Sequence, residues 1–219
     1  MIVLSDNDII LKLAAFDALE AAIALLGVPA REVRVLHSAL PTISKGKKIL
    51  VRYGRETVER AAAFVEKATP IVERSSYDAE VEMLRSVEMI DAGEQLLFAS
   101  TRDFFPNFNL LTGDKRALRA LRKAPEARPI YDRLRGRVVC LEEITRILIL
   151  RHGFEKMRDK IVPACQCDQA LRAAFGSGML AQEANVLIVL QDYFEDLENG
   201  NADENGVGAN WLKRLAPLV

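Results

Sequence analysis

Five acidic side chains stand at positions where they could share a divalent metal ion. Two apolar runs that are typical of buried strands each end in acidic residues, and two further acids stand three residues apart, within reach of one ion on a helix. Carboxylate oxygens gathered in this way suit Mg²⁺ or Mn²⁺, and water bound to such an ion becomes a nucleophile for phosphodiester hydrolysis. The candidate metal ligands are Asp6, Asp8, Asp91, Glu94 and Asp114.

Four of these acids, taken singly, are also typical of helix caps. Asp91 has the chemistry of an N-cap residue, and Glu94 stands at the N3 position of the same helix, as in a capping box. Asp8 and Asp114 stand where predicted helices begin, so they are candidate caps as well. The metal site is therefore an interpretation of the whole set and of its place at strand ends.

The elements that must position these acids alternate between strand and helix. Short apolar runs predict strands at residues 2–5, 33–36, 109–112 and 137–141, and the apolar spacing predicts helices at 9–26, 55–67, 77–89, 91–101 and 115–123. Strands interleaved with helices predict an α/β fold, a three-layer α/β/α sandwich around a central parallel sheet. Open sheets of this kind bind ligands at their carboxyl edge, so we expect the acids to share one pocket there.

After residue 145 the pattern changes to helices alone. Helical spacing covers residues 166–175 and 180–197, and no convincing strand follows. The sequence therefore predicts an α/β domain at residues 1–145 and a helical extension at residues 146–219, which either packs on the first domain or acts as an interaction arm. Residues 183–206 hold seven acids and no base, so a basic partner is expected for that arm.

The charge is balanced overall but strongly biased locally. A net charge of −1 gives no general attraction to nucleic acid or to an anionic membrane, yet residues 115–137 hold nine Lys or Arg against two acids. A phosphate backbone could lie across the basic helix that follows Asp114 while its scissile bond meets the metal. A solvated helix face is the alternative interpretation. The candidate RNA-contacting residues are Lys48, Lys115, Arg116, Arg119, Arg122 and Lys123.

Cysteine usage and hydropathy predict a cytoplasmic location. The three cysteines are an odd number without disulfide-like spacing, which is typical of reduced thiols. The N-terminus has no basic segment or cleavage site of a secretory signal. Asp17 and Glu20 interrupt the apolar stretch 11–28, which favours an amphipathic helix over a membrane span.

Three short motifs resemble those of PIN domains. Ile2-Val-Leu-Ser-Asp-Asn-Asp8 resembles their opening, in which a first strand ends in an aspartate followed by a small polar residue and usually an asparagine. Ile90-Asp-Ala-Gly-Glu94 is similar to the helix start of some PIN branches, and Leu110-Leu-Thr-Gly-Asp114 to their fourth-strand signature. The resemblance covers residues 1–145, and the order and spacing of the motifs carry more weight than any one of them.

The resemblance implies a sandwich that holds one or two Mg²⁺ or Mn²⁺ ions and cuts single-stranded or structured RNA. Carried over by position, Asp6, Glu94 and Asp114 would be the catalytic, metal-binding carboxylates, and Asp8 takes the place of the usual asparagine. The sequence departs from the family pattern after the second strand, because residues 40–46 contain no acid. That departure is consistent with weak metal binding or with a PIN-like protein that is not a nuclease.

Two other functions stay open at this point. One is a catalytically inactive PIN-like scaffold that binds RNA or a protein partner, such as an antitoxin-like protein or a second copy of the chain. The other is a phosphatase of the haloacid-dehalogenase type, in which Asp6 and Asp8 would form the Asp-x-Asp pair and Asp114 the late acidic motif. That family normally has a small pair of residues after the second aspartate, whereas Ile9 and Ile10 follow here.

Overall fold

Five parallel strands form one sheet in the order β3-β2-β1-β4-β5. The computed structural model describes the backbone of residues 1–199 and the side chains of residues 1–193. The predicted parallel sheet is confirmed, and one strand was missed because it is two residues long and contains Pro70, a residue that interrupts strand patterns. The strands are β1 (Ile2–Ser5), β2 (Val33–Val35), β3 (Thr69–Pro70), β4 (Phe108–Leu111) and β5 (Val138–Val139).

Thirteen α-helices occur within residues 1–199. None of these helices is long and apolar enough to cross a membrane. The helices are α1 (Asn7–Ala15), α2 (Leu19–Leu25), α3 (Ala39–Lys45), α4 (Lys47–Tyr53), α5 (Arg55–Lys67), α6 (Asp78–Arg85), α7 (Ala92–Ser100), α8 (Lys115–Lys123), α9 (Arg128–Leu134), α10 (Leu141–His152), α11 (Phe154–Ile161), α12 (Gln169–Ala174) and α13 (Glu183–Asn199).

The single helix predicted for residues 9–26 is wrong, because the structure divides that segment into α1 and α2. Asp17 lies between them with a φ of 48°, in the left-handed region that ends a helix. Lys160 of α11 donates from Nζ to both the main-chain oxygen and the carboxylate of Asp17, at 2.7 Å each. The apolar spacing continues across the break, since Ala18, Leu19 and Ala22 are buried, so the periodicity alone did not reveal it.

Two hydrophobic clusters cover opposite faces of the sheet, which confirms the α/β/α sandwich. Neighbouring strand residues alternate between them: Val3 and Leu111 join one cluster, while Leu4 and Leu110 join the other. Helices α1, α2, α3 and α5 pack in the first cluster, and α6, α7, α8 and α9 pack in the second. The near-continuous apolar strands of the sequence follow from this burial on both faces.

The C-terminal helices pack in the first cluster. Leu148, Phe175 and Leu190 belong to it together with residues of α1 and α2. Helix α10 runs through residue 145, so the predicted border between domain and extension falls inside a helix. The division into two domains stays a prediction, and residues 200–219 of the predicted extension lie outside the described residues.

The strand order places a topological switch point between β1 and β4. The chain moves outward from β1 to β2 and β3, and then crosses to the other side of β1 to form β4 and β5. Connections that leave two adjacent parallel strands in opposite directions open a crevice at their carboxyl ends, where open α/β sheets bind ligands. β1 and β4 end side by side, with Ser5 paired to Leu111.

Candidate functional site

Asp6 is the first residue after β1 and lies in the crevice at the switch point. Its main-chain N–H donates to the carbonyl of Leu111 at 3.0 Å, which fixes its position beside the end of β4. It holds the N-cap position of α1, yet its side chain makes no capping hydrogen bond to the first turn. The carboxylate lines the pocket instead.

Asp114 is brought to the same crevice by the turn between β4 and α8. Its N–H donates to Thr112 Oγ1 at 3.1 Å, and its Oδ1 accepts hydrogen bonds from the N–H groups of Arg116 and Ala117 at 2.8 and 3.1 Å. Its Oδ2 lies 3.3 Å from the Arg116 guanidinium. Asp114 is therefore a helix cap and a pocket residue at once, so the two interpretations of the sequence are compatible.

Asp91 and Glu94 form the predicted capping box at the start of α7, which is confirmed. The Glu94 N–H donates to Asp91 Oδ1 and the Asp91 N–H donates to Glu94 Oε2, both at 2.9 Å. Glu94 is only 8% exposed, an unusual environment for a carboxylate. The capping box thus holds a buried acid at the pocket wall.

All five predicted metal ligands line one pocket with a volume of about 580 Å³. Parallel strands end at the same edge of the sheet, so residues that are far apart in the sequence meet in this pocket. The remaining charged side chains of the pocket are Lys12, Arg52, Lys115, Arg116, Arg119, Glu142 and Asp168.

Two of the pocket carboxyls have strongly raised pKa values. Burial raises the pKa of Asp6 to about 6, with a further contribution from Asp8, against the opposing effect of the Asn7 and Asp8 amides. Burial raises the pKa of Glu94 to about 8, and repulsion from Asp91, Asp114 and Asp6 adds to it, while the Asp91 N–H opposes it. Three other carboxylates thus repel the ionised form of Glu94, and a divalent cation would relieve that repulsion.

Lysine side chains neutralise the other side of the pocket. Lys12 Nζ lies 2.5 Å from Asp8 Oδ2 and 2.8 Å from Asp168 Oδ2, and Lys115 Nζ lies 2.5 Å from Glu142 Oε1. Within the described side chains, no comparable ion pair is found for Asp6, Asp91 or Glu94. Among the described side chains, Asp6, Asp91 and Glu94 are therefore the pocket acids that no lysine or arginine neutralises.

The donor chemistry of this set suits Mg²⁺ or Mn²⁺, because hard cations prefer carboxylate oxygens. Among the described side chains of residues 1–193, no group of three His, Cys, Asp or Glu residues is arranged to hold an ion. Asp91, Glu94 and Asp114 direct carboxylate oxygens at helix amides. Each of these hydrogen bonds uses one oxygen of a carboxylate, so coordination with the caps intact would use the second oxygen of each side chain.

The predicted RNA-contacting residues divide into three groups. Arg116 and Arg119 are exposed, and both line the acidic pocket as well as a neighbouring groove that also includes Lys123. Lys115 lines the pocket but pairs with Glu142 and donates to the carbonyl of Tyr193 at 3.1 Å. Lys48 and Arg122 are not among the described residues that line the pocket.

Sequence reasoning missed Lys12, Glu142 and Asp168 as pocket residues. Glu142 could have been found, because it stands in the first turn of the helix that follows β5. Asp168 caps α12, accepting from the N–H groups of Ala170 and Leu171, a role that its sequence position suggests without indicating the pocket. Lys12 stands four residues after Asp8, a common pairing on a helix face, but its second partner is far away in the sequence.

No protein-family model, curated protein or solved structure matches the chain. The function is therefore inferred from the residues of the pocket.

Proposed function

We propose that this protein is a Mg²⁺- or Mn²⁺-dependent ribonuclease of PIN type that hydrolyses phosphodiester bonds at the crevice between β1 and β4. The observation that carries the proposal is the group of carboxylates at the switch point. Four of them lie close enough for Asp6, Asp91 and Asp114 to raise the pKa of the buried Glu94. Asp91, Glu94 and Asp114 also cap helices, but capping does not require the three caps and Asp6 to share one pocket, whereas a cation site does.

Asp6, Glu94 and Asp114 would hold the ion, with Asp91 supporting Glu94 through the capping box. When bound, such an ion supplies positive charge to a phosphodiester and lowers the pKa of a water molecule on it. Glu94 and Asp6 must be ionised to act as ligands, and their raised pKa values mean that binding releases protons near neutral pH. Cation affinity should therefore rise with pH.

The start of α8 suits the phosphate groups that flank the scissile bond. Arg116 and Arg119 are exposed on the helix that begins beside Asp114, and they border both the pocket and the groove next to it. Guanidinium groups bind phosphate oxygens through paired hydrogen bonds. A nucleic-acid strand that lies along this groove would lead to the carboxylates at the switch point.

Replacing Arg119 with Gln is expected to weaken binding of single-stranded RNA several-fold and to reduce the salt dependence of binding by roughly one phosphate contact. Fluorescence anisotropy over a range of salt concentrations measures both effects. The matched control is Lys67→Gln, which removes an exposed positive charge in a different pocket, beside Glu20. Equal effects of the two substitutions would contradict a specific role for the α8 surface.

The proposal is tested by incubating labelled single-stranded RNA with the full chain in Mn²⁺, in Mg²⁺ and in EDTA. We expect cleavage with either ion, none in EDTA, and a large loss in Asp114→Asn. Asp132→Asn, which removes an exposed acid of α9 outside the pocket, should cleave normally. RNA binding without cleavage in any ion would favour the inactive scaffold, and turnover of p-nitrophenyl phosphate that depends on Asp6 would favour the phosphatase.

A cytoplasmic location belongs to the same proposal. Cys140, Cys165 and Cys167 are buried and unbridged, which suits a reducing compartment. Burial raises the pKa of all three thiols, so they are poor nucleophiles and are not candidates for catalysis. The antitoxin-like partner and the homodimer stay predictions.

A further inference from the structure

Lys12 is a buried lysine inside the acidic pocket, and two carboxylates hold it. Its side chain is 8% exposed, and Nζ lies within 2.8 Å of one oxygen each of Asp8 and Asp168. Burial alone would lower the pKa of Lys12, but the two carboxylates outweigh that effect and raise it above its ordinary value. The two ion pairs therefore favour the charged ammonium form of Lys12.

The partners of Lys12 are themselves fully engaged. Asp8 Oδ1 accepts a hydrogen bond from Tyr53 Oη at 3.3 Å, while its Oδ2 faces Lys12. Asp168 Oδ1 accepts the two cap hydrogen bonds of α12, while its Oδ2 faces Lys12. All four carboxylate oxygens on this side of the pocket thus have partners within the protein.

The neighbouring backbone fits closely around this cluster. A Cβ atom at Gly113 would lie 3.0 Å from Asp8 Oδ2 and 3.3 Å from Lys12 Nζ, so the turn after β4 packs tightly against the ion pair. Arg52 donates to the carbonyl of Cys167 at 2.6 Å, which anchors the chain just before Asp168. Residues of α1, α4, α12 and the β4–α8 turn all contact this cluster or anchor the chain beside it.

The Lys12 Nζ atom fills the space between two carboxylates that could otherwise hold a cation. An ion bridging Asp8 and Asp168 would have to stand about 2 Å from their oxygens, in the space that the ammonium group fills. The ion and Lys12 Nζ therefore exclude each other, while the group around Asp6 and Glu94 has no such internal cation among the described side chains.

We propose that the Lys12 ammonium group occupies the place of a second metal ion, so that the pocket binds one divalent cation instead of two. This inference rests on the proposed function, because it presupposes a cation site at Asp6, Glu94 and Asp114. Asp8 then serves to position Lys12 and is not a metal ligand. Asp168, from the C-terminal helices, completes the charge balance of the site.

The test is the number of Mn²⁺ ions bound by the full chain, measured by calorimetry and by electron paramagnetic resonance. We expect one ion in the wild type, with the signal of an isolated Mn²⁺. Lys12→Ala frees Asp8 and Asp168, so it should bind two ions with a spin-coupled signal, whereas Lys12→Arg keeps the positive charge and should bind one. Lys160→Ala, which removes the lysine that contacts Asp17, is the matched control and should also bind one.

The outcomes separate this inference from the proposed function. Two ions in the wild type, or one ion in a folded Lys12→Ala variant, would overturn the role of Lys12 and leave the ribonuclease proposal intact. No ion in the wild type would overturn both. If Lys12→Ala does not fold, the wild type and Lys12→Arg decide: one ion in each supports the proposal, and two ions in either overturn it.

Discussion

Replacing Asp6 with Asn is expected to lower metal-dependent RNA cleavage by about 10²-fold or more, because loss of even an outer-shell partner of a metal ligand costs roughly 10–100-fold. Asp6 lines the pocket directly after β1 and adds to the raised pKa of Glu94, to which burial, Asp91 and Asp114 contribute more. Its side chain makes no capping hydrogen bond, so the change to Asn leaves α1 supported. The loss should therefore come from chemistry and not from the fold.

Single-turnover cleavage of labelled RNA in Mn²⁺ measures the effect, and Asp132→Asn again serves as the control. The melting temperature of the metal-free protein provides a second readout, which should not fall although cleavage does. Because Asn removes a buried charge that Asp8 repels, Asp6→Asn should be at least as stable as the wild type. A variant that cleaves normally would remove Asp6 from the mechanism, and one that unfolds would give Asp6 a structural role instead.

The metal-free protein is expected to lose stability as the pH rises from about 4.5 to about 8, and Glu94→Gln is expected to remove much of that loss. The pKa of Glu94 is raised from 4.5 to about 8, so the folded state binds its proton more tightly than the unfolded state does. Folding takes up a proton in this window, and stability falls with pH. At about 1.4 kcal/mol for each pKa unit, the effect amounts to a few kcal/mol.

Urea unfolding in EDTA at about pH 5 and about pH 9 measures this dependence. Asp6, with its pKa raised to about 6, adds a smaller loss of the same sign at lower pH. Glu82→Gln is the control, since Glu82 is exposed and pairs with Arg85. Mn²⁺ should stabilise the wild type more at the higher pH, when both carboxyls are ionised. Stability that is independent of pH in the wild type would contradict the burial of an acid at position 94.

The sequence predicted the structure best where a local pattern, such as an apolar strand or a capping box, matches the fold. Burial on both faces makes the central strands apolar throughout, so β1 and β4 and the acids that follow them could be predicted. The capping box of Asp91 and Glu94 is also a local pattern, and the structure contains it as expected. The strand-end rule accounts for Asp6, Asp8 and Asp114, and the start of α7 brings Asp91 and Glu94 to the same pocket.

What could not be predicted depends on contacts between distant segments. The break between α1 and α2 is held by Lys160, and the second partner of Lys12 is Asp168, both from the C-terminal helices. No local pattern indicates such pairs. The proposed extension was expected to pack on the domain or to act as an arm, and its contribution of a charged residue to the pocket was not foreseen.

The bridge from Lys12 to Asp168 has a consequence for any shortened form of the protein. A fragment that stops near residue 145 would lose Asp168 together with the helices that shield Lys12, although every residue of the three PIN-like motifs would remain. Its pocket would carry one negative charge fewer, and a lysine with a single partner would gain freedom to move among the acids. Removal of the C-terminal helices would also take Phe175 and Leu190 out of the first cluster, so the pocket and the core depend on the same segment.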